Sequence, residues 1–348
     1  MWRSLGPEKA LAIVRAHRRS LAGRVIVLSV RTPVCDLLGI DVPIVLAPFG
    51  PWEQVELAAA VSNAGGLGSV GTAVRSADDL RAQWARLRGL TDRPFAINHT
   101  GRPFDAEVFA AILQAAPPAI SFHIGVPRER IAEAHDVGAR WIQQVGDLRS
   151  AVLALEADAD VLVAQGWEAG GNAGWVSTLV LVPQIVDVAG DVPVLAAGGI
   201  ADGRGLAAAL ALGAQGAVVG TRFLASVEMT IDPSWKERIV SADATDAVKV
   251  ANSARVMPPV TLELPGAPPA PRALRTSLTD QLDADPDSVD PAELGPTLLA
   301  EVRANRGHDL LPFTGQSAAL VHDITPAAEI IARLVAEAEA ALEAASRS

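Results

Sequence analysis

From Pro43 to Gly220 the chain repeats one pattern, a short continuous apolar run followed by a stretch of helical period, and this constrains its fold most. The runs are Ile44–Pro48, Gly68–Thr72, Phe95–His99, Ala119–His123, Trp141–Val145, Val161–Gln165, Val192–Ala197 and Gly216–Gly220. Between them lie amphipathic or Ala-rich segments, Glu53–Ala64, Ala77–Arg88, Asp105–Ala116, Arg128–Val137, Leu148–Ala157, Leu179–Ala189 and Gly203–Gly213. Strands that read as continuous rather than alternating apolar runs are buried on both faces, as parallel strands covered by helices must be. Eight such strands with seven intervening helices predict the α/β class and a (β/α)8 TIM barrel rather than an open doubly wound sheet.

After Ser226 the rhythm stops. The segment from Glu228 to Ala254 reads as helical, prolines from Pro258 to Pro271 break regular structure, and the acidic stretch Asp280–Asp290 reads as a solvated loop. A final helix is expected with Thr325 as N-cap, Pro326 at its first position and an apolar face of Ile330, Ile331, Leu334, Val335, Ala338 and Leu342. The division is an N-terminal extension (1–30), the barrel (31–226), a mainly helical cap with loops over the active face (227–325), and a C-terminal helix packing back on the barrel (326–348). Leu5 to Leu21 reads as a basic amphipathic helix docking on the barrel or on a partner.

The net charge of −11 argues against nucleic acid or an anionic membrane as partner. The apolar run within Arg24–Val30 is too short for a signal-peptide core, and Gly205–Thr221 reads as a buried helix and strand. A soluble, cytoplasmic protein is expected. The single cysteine, Cys35, excludes an internal disulfide and any Cys-rich metal site, and reads as a small buried hydrophobe; no metal is expected.

The strongest chemical signal follows the last two strands. Val192–Ala197 runs into Gly198-Gly199-Ile200, and the strand ending at Val219 runs into Gly220-Thr221-Arg222. Barrels of this type hold phosphate in the loops after strands seven and eight, where glycine lets backbone N–H groups approach an anion. Thr221 can add a hydroxyl; the alternative is a pair of ordinary tight turns. Gly66-Leu67-Gly68-Ser69-Val70-Gly71 matches the dinucleotide pattern G-x-G-x-x-G, but here a helix precedes and a strand follows, the reverse of what the fingerprint needs.

The turn after the sixth strand, Ala164 to Gly174, reads A-Q-G-W-E-A-G-G-N-A-G. It resembles the signature of the nitronate monooxygenase family, formerly called 2-nitropropane dioxygenases. The pieces T-P-V-C-D-L-L-G-I from Thr32, P-I-V-L-A-P from Pro43 and S-N-A-G-G-L-G from Ser62 fit the same family. So do F-A-I-N from Phe95, S-F-H-I-G from Ser121 and A-A-G-G-I-A-D-G-R from Ala196, in order, with Gly315-Gln316-Ser317-Ala318 as a weaker match. The resemblance implies FMN, held by Ala47, Pro48, Asn98, Gln165, Gly170, Gly198, Gly199, Val218, Val219, Gly220 and Thr221. Asn98 and Gln165 are amides able to donate and accept at the flavin ring edge; the alternative is that they satisfy strand-end backbone groups. Gly170 is read as letting its loop pass close to the ring.

One slot departs from the pattern. The family places a catalytic His after the paired glycines, and this chain has Asn172, an amide that can hydrogen-bond a nitro oxygen but cannot act as general base. His123, at the end of the fourth strand, is the candidate substitute, with a structural role as its alternative; His99 is turned away from the site if Asn98 faces it. Trp167 and Trp175 either wall an apolar pocket or pack between barrel and cap. Glu168 is solvated or holds the loop. His17, His135, His308 and His322 have no motif context. The implied activity is an FMN-dependent monooxygenase that oxidises alkyl nitronates, or a related small anionic substrate, with dioxygen. The alternatives are an NAD(P)H-linked enoyl or quinone reductase and an FMN-binding protein with little turnover. The reading admits a homodimer.

Overall fold

The computed structural model describes residues 30–264, 268–304, 306 and 309–347. The expected basic helix over Leu5–Leu21, with His17 and His308, lies outside these residues. All eight apolar runs are strands: β1 (Ile44–Leu46), β2 (Gly68–Gly71), β3 (Phe95–Thr100), β4 (Ala119–His123), β5 (Arg140–Val145), β6 (Val161–Gln165), β8 (Val194–Ala197) and β9 (Gly216–Val219). The number β7 belongs to Gly171–Ala173, a short strand of a second sheet. The eight are parallel and run in the order β1-β9-β8-β6-β5-β4-β3-β2. A parallel bridge between Val45 and Leu67, with Leu46 N–H to Leu67 O and Leu67 N–H to Ile44 O both at 2.9 Å, closes the ring. Closure removes the unpaired edge that an open sheet exposes.

Around the strands lie α2 (Val55–Asn63), α3 (Ala77–Leu90), α4 (Ala106–Ala115), α5 (Arg128–Asp136), α6 (Leu148–Glu156), α7 (Thr178–Ala189) and α8 (Gly203–Ala211). Ser76, Asp105, Asp147 and Asp202 accept first-turn N–H groups of α3, α4, α6 and α8, satisfying donors that a helix start leaves unpaired. A preceding short helix, α1 (Pro33–Leu38), plugs the N-terminal end of the barrel. There Val34 N–H and the Thr32 hydroxyl donate to Gln215, just before β9. Val34, the fully buried Cys35 and Leu38 join Val45, Ala96, Ile142, Val163 and Leu195 in the core inside the ring.

The region after β9 departs from its sequence reading. The short helix α9 (Thr221–Leu224) is followed by α10 (Pro233–Ser241), which ends the helix expected to reach Ala254; β10 (Ala247–Lys249) follows. This strand pairs antiparallel with β11 (Ala270–Leu274), and β11 pairs with β7. The cap therefore holds a three-stranded sheet as well as helices, and the loop after β6 supplies its edge strand. The acidic stretch opens inside α11 (Ser277–Ala284) rather than in a loop, because Thr276 and Thr279 cap each other and Leu278 and Leu282 are buried. Beyond it lie α12 (Pro291–Arg303) and α13 (Ala327–Arg347), the last starting one residue after Pro326.

The last helix packs along α8 and α2, where the eighth helix of a barrel belongs. Its Ala327, Ile330, Ile331, Leu334 and Ala338 are buried. A Cβ on Gly203 would stand 2.3 Å from Ala338 N, so glycine is required where α8 and α13 cross. The Glu228 carboxylate accepts the Ala327 N–H at 2.9 Å and fixes the start of α13. No helix among the described residues is long and apolar enough to cross a membrane.

Candidate active site

A cavity of about 830 Å³ opens at the C-terminal ends of the strands, near the upper end of the usual range for ligand clefts. Ala47, Pro48, Asn98, His123, Gln165, Gly170, Asn172, Gly198, Gly199, Val218, Gly220 and Thr221 all line it. Val219, expected beside them, does not. Alternation along β9 turns Val218 toward the barrel interior and sends Val219 into the layer between strands and helices.

The two glycine turns are shaped for an anion. Gly198 and Gly199 adopt φ of +103° and +74°, which a side chain would strain. Among the described residues, the N–H groups of Gly199 and Gly220 have no backbone acceptor outside regular elements. Thr221 Oγ1 accepts the Gly315 N–H at 2.9 Å, which leaves the hydroxyl proton to donate elsewhere. Glu168 lies against the Gly198–Gly199 turn, but its carboxylate is occupied by the N–H and hydroxyl of Thr178, and the remaining donor set fits a phosphate group.

Gly170 lines the cavity and also meets a second constraint that requires glycine. A Cβ there would lie 2.7 Å from Gly315 N, and a Cβ on Gly315 would lie 2.8 Å from Gly170 N. The two backbones touch, and Gln316 N–H donates to Glu168 O at 2.9 Å beside them. Glu168 holds the loop as well: its carboxylate accepts both the backbone N–H and the hydroxyl of Thr178 at the start of α7.

The amides are oriented by neighbours. Gln165 Oε1 accepts from Gln144 Nε2 at 2.7 Å, leaving the Gln165 amide hydrogens to donate. Asn98 Nδ2 donates to the Ser121 hydroxyl at 3.0 Å and carbonyl at 3.2 Å, leaving Oδ1 as its acceptor. Asn172 Oδ1 is buried with no partner.

The histidines differ in the same way. Thr72 Oγ1 donates to Asn98 O at 3.0 Å and lies 2.7 Å from His99 Nδ1, so Nδ1 carries the proton and donates to Thr72. His99 Nε2 then accepts the Asp105 N–H at 3.2 Å. His99 is thus a satisfied neutral ring, packed against Phe104, Phe109 and Phe122. Burial lowers it to about 4. His123 is also lowered to about 4, by burial and then by the nearby His99, but its Nδ1 has no partner. At neutral pH both rings are uncharged.

Trp167 and Trp175 stay out of the cavity. Their ring centroids lie 5.3 Å apart, and Lys249 Nζ stands 5.0 and 5.1 Å from them. That ammonium donates to the carbonyls of Ala173, Gly174 and Ala270, tying β7 to β11. Burial and then the charge of Arg272 lower Lys249 to about 7. The sequence reading missed Thr72, Arg102, Gln144, Trp52, Trp235 and Ser317, all of which line the cavity. Ser317 lay within the weak C-terminal match; the others carry no local motif.

Comparison with known proteins agrees with this geometry. The family model for nitronate monooxygenase matches residues 31–102 and 99–337. A nitronate monooxygenase from Paraburkholderia phytofirmans is 33% identical over 364 residues, 88% of this chain and 95% of the relative. A (3aS,4S,5R,7aS)-5-hydroxy-7a-methyl-1-oxo-octahydro-1H-indene-4-carboxyl-CoA dehydrogenase from Mycobacterium tuberculosis is 35% identical over 260 residues, 74% of this chain and 70% of the relative. FabK from Thermotoga maritima superposes with a TM-score of 0.81 at 35% identity, covering 91% of this chain and 99% of that one. Nitroalkane oxidase from Streptomyces ansochromogenes gives 0.74 at 29% identity, covering 89% and 99%. With its barrel, its glycine turns and this match over most of its length, the chain belongs to the nitronate monooxygenase family and is a flavin-dependent oxidoreductase.

Proposed function

We propose that the protein binds FMN and oxidises alkyl nitronates, or related small anions, with dioxygen. The observation that carries the reading is one cavity uniting two glycine turns bearing unpaired N–H groups with Gln165, Asn98 and Asn172. The N–H groups of Gly199 and Gly220 and the Thr221 hydroxyl hold the phosphate. Gln165 donates to, and Asn98 accepts from, the polar edge of the ring. When bound, FMN supplies the electron-transfer chemistry that links an organic substrate to dioxygen, while the protein supplies position and electrostatics.

Asn172 orients the substrate through hydrogen bonds to a nitro oxygen. A nitronate arrives already deprotonated, so it asks for no base, and neither neutral His123 nor Asn172 has to take a proton from carbon. Leu298, Val302, Met257 and Phe313 supply an apolar wall that excludes water from the bound substrate.

A second reading, reduction of an enoyl thioester with NAD(P)H, is favoured by the size of the apolar wall and by likeness to FabK. Cofactor released from purified protein should be FMN in near-stoichiometric amount, and anaerobic propyl-2-nitronate should bleach it. A colourless protein that takes up no FMN overturns both readings. Bleaching by NADPH and not by nitronate replaces the first with the second.

A further inference from the structure

The chain carries a net charge of −11, yet among the described residues its cavity is lined by four arginines and one aspartate. That aspartate, Asp105, is occupied in capping α4. Three of the arginines are tied down. Arg75 donates to Pro51 O, Arg255 to Asp287 and Val289 O, and Arg303 to Val74 O. Arg102 differs in degree: Arg75 and Arg255 each leave a buried Nε without a partner, whereas both Nε and Nη1 of Arg102 are buried and neither has a hydrogen-bond partner. No carboxylate offsets it; burial alone draws its guanidinium below the ordinary range, and an arginine so lowered is still charged throughout the working pH range.

A buried guanidinium without an acceptor costs far more than a paired one, so a ligand that supplies the acceptor recovers that cost on binding. The position of Arg102 separates it from the phosphate turns. It follows β3, whereas those turns follow β8 and β9, and β3 stands four steps from β8 and three from β9 around the ring. It adjoins another unpartnered cavity group, the Nδ1 of His123: Gly101 N–H donates to His123 O, and the Arg102 charge acts on the His123 ring. The guanidinium fork matches a planar group with two oxygens, which it can hold through paired N–H bonds.

We propose that Arg102 is a substrate-binding residue whose guanidinium receives a planar oxyanion, a nitronate or a carboxylate, carried by the substrate. This rests on the cavity being the substrate site of the proposed oxidoreductase. The apolar wall fits the same ligand, an organic body with one anionic group.

The test uses octanoate and octanamide, titrated calorimetrically into the flavin-loaded full chain. Wild type should bind octanoate at least about tenfold tighter than octanamide. Arg102→Met should weaken octanoate by about ten- to a hundredfold and leave octanamide unchanged. Arg102→Lys should fall between them, keeping charge without the fork. Flavin content and melting temperature check that each variant is folded, and Arg102→Gln stands in if the Met variant is not. Equal binding of the two probes by wild type, or unchanged octanoate binding by Arg102→Met, overturns the proposal.

The two sources of the oxyanion separate in turnover. A KM for propyl-2-nitronate that rises with the loss of octanoate affinity assigns Arg102 to the reacting nitronate. An unchanged KM assigns it to a separate carboxylate on a larger substrate. Octanoate binding through Arg102 in a protein that oxidises no nitronate keeps this inference and removes the nitronate reading.

Discussion

At the residue scale, the proton chemistry proposed for the site rests on Asn172 and the histidine pair. Asn172→His restores a titratable nitrogen at the slot where the family carries one, and general-base help is worth roughly 10²–10⁴-fold. The substitution should raise turnover of neutral nitroalkane well beyond its effect on nitronate, measured as kcat/KM for the two forms of one substrate. Equal effects would show that this position does not take the proton. His99 and His123 titrate near 6.5 in the unfolded chain and about 4 in the fold. The unfolded state therefore binds protons that the folded state refuses, so stability is complete above about pH 6.5 and falls as pH drops toward 4. One such histidine contributes on the order of 2–3 kcal/mol. Melting temperature followed from pH 7 to 4 should fall, and His123→Asn should flatten the fall; a pH-independent wild type would contradict the assignment. Alternation along β3 predicts His99 turned away from the site, yet His99 lines the cavity beside Asn98 while its ring packs against Phe104, Phe109 and Phe122. The isolation of Arg102 was not readable in the sequence, because an absent partner is a property of the whole cavity and leaves no mark beside residue 102.

At the element scale, the strands and helices of the barrel were readable because each is a continuous apolar run or a capped amphipathic stretch. The cap was less so. β7 is three residues of glycine, asparagine and alanine with no strand propensity, and it is a strand only because β11 lies beside it. Lys249, between the two indoles, then ties the pair together. The junction of this cap with the glycine turns is a contact of two glycines, Gly170 and Gly315, and its energetics follow from the missing side chains. Gly315→Ala would bring a methyl within 2.8 Å of Gly170 N and 3.2 Å of Thr221 Oγ1. Overpacking of this kind costs about 1–3 kcal/mol. Because the Gly315 N–H orients the Thr221 hydroxyl, the larger effect should fall on cofactor affinity. We expect the variant to lose flavin on gel filtration while its far-ultraviolet circular dichroism stays native. Retention of flavin at wild-type occupancy would show that Thr221 needs no such support.

At the scale of the whole molecule, the chain returns to complete its own barrel. After β9 the helix that should cover the last strand is the four-residue α9. The position is filled instead by α13, reached only after the entire cap has been built. Cap and barrel are therefore bound into one structure, since the cap lies between the last strand and the helix that shields the ring. Leu334, buried on the inner face of α13, tests this coupling. Leu334→Ala removes a buried side chain and should cost about 2–5 kcal/mol. If the barrel depends on α13, unfolding of the variant stays a single transition, with loss of flavin, of secondary structure and of tryptophan signal all shifted down together. Trp52 and Trp235 meet edge to face at 5.0 Å within the cavity wall and report from the cap side. An early transition of α13 alone, with the flavin still bound, would make the helix an appendage. A common shift would mean that cap, barrel and α13 unfold as one cooperative unit.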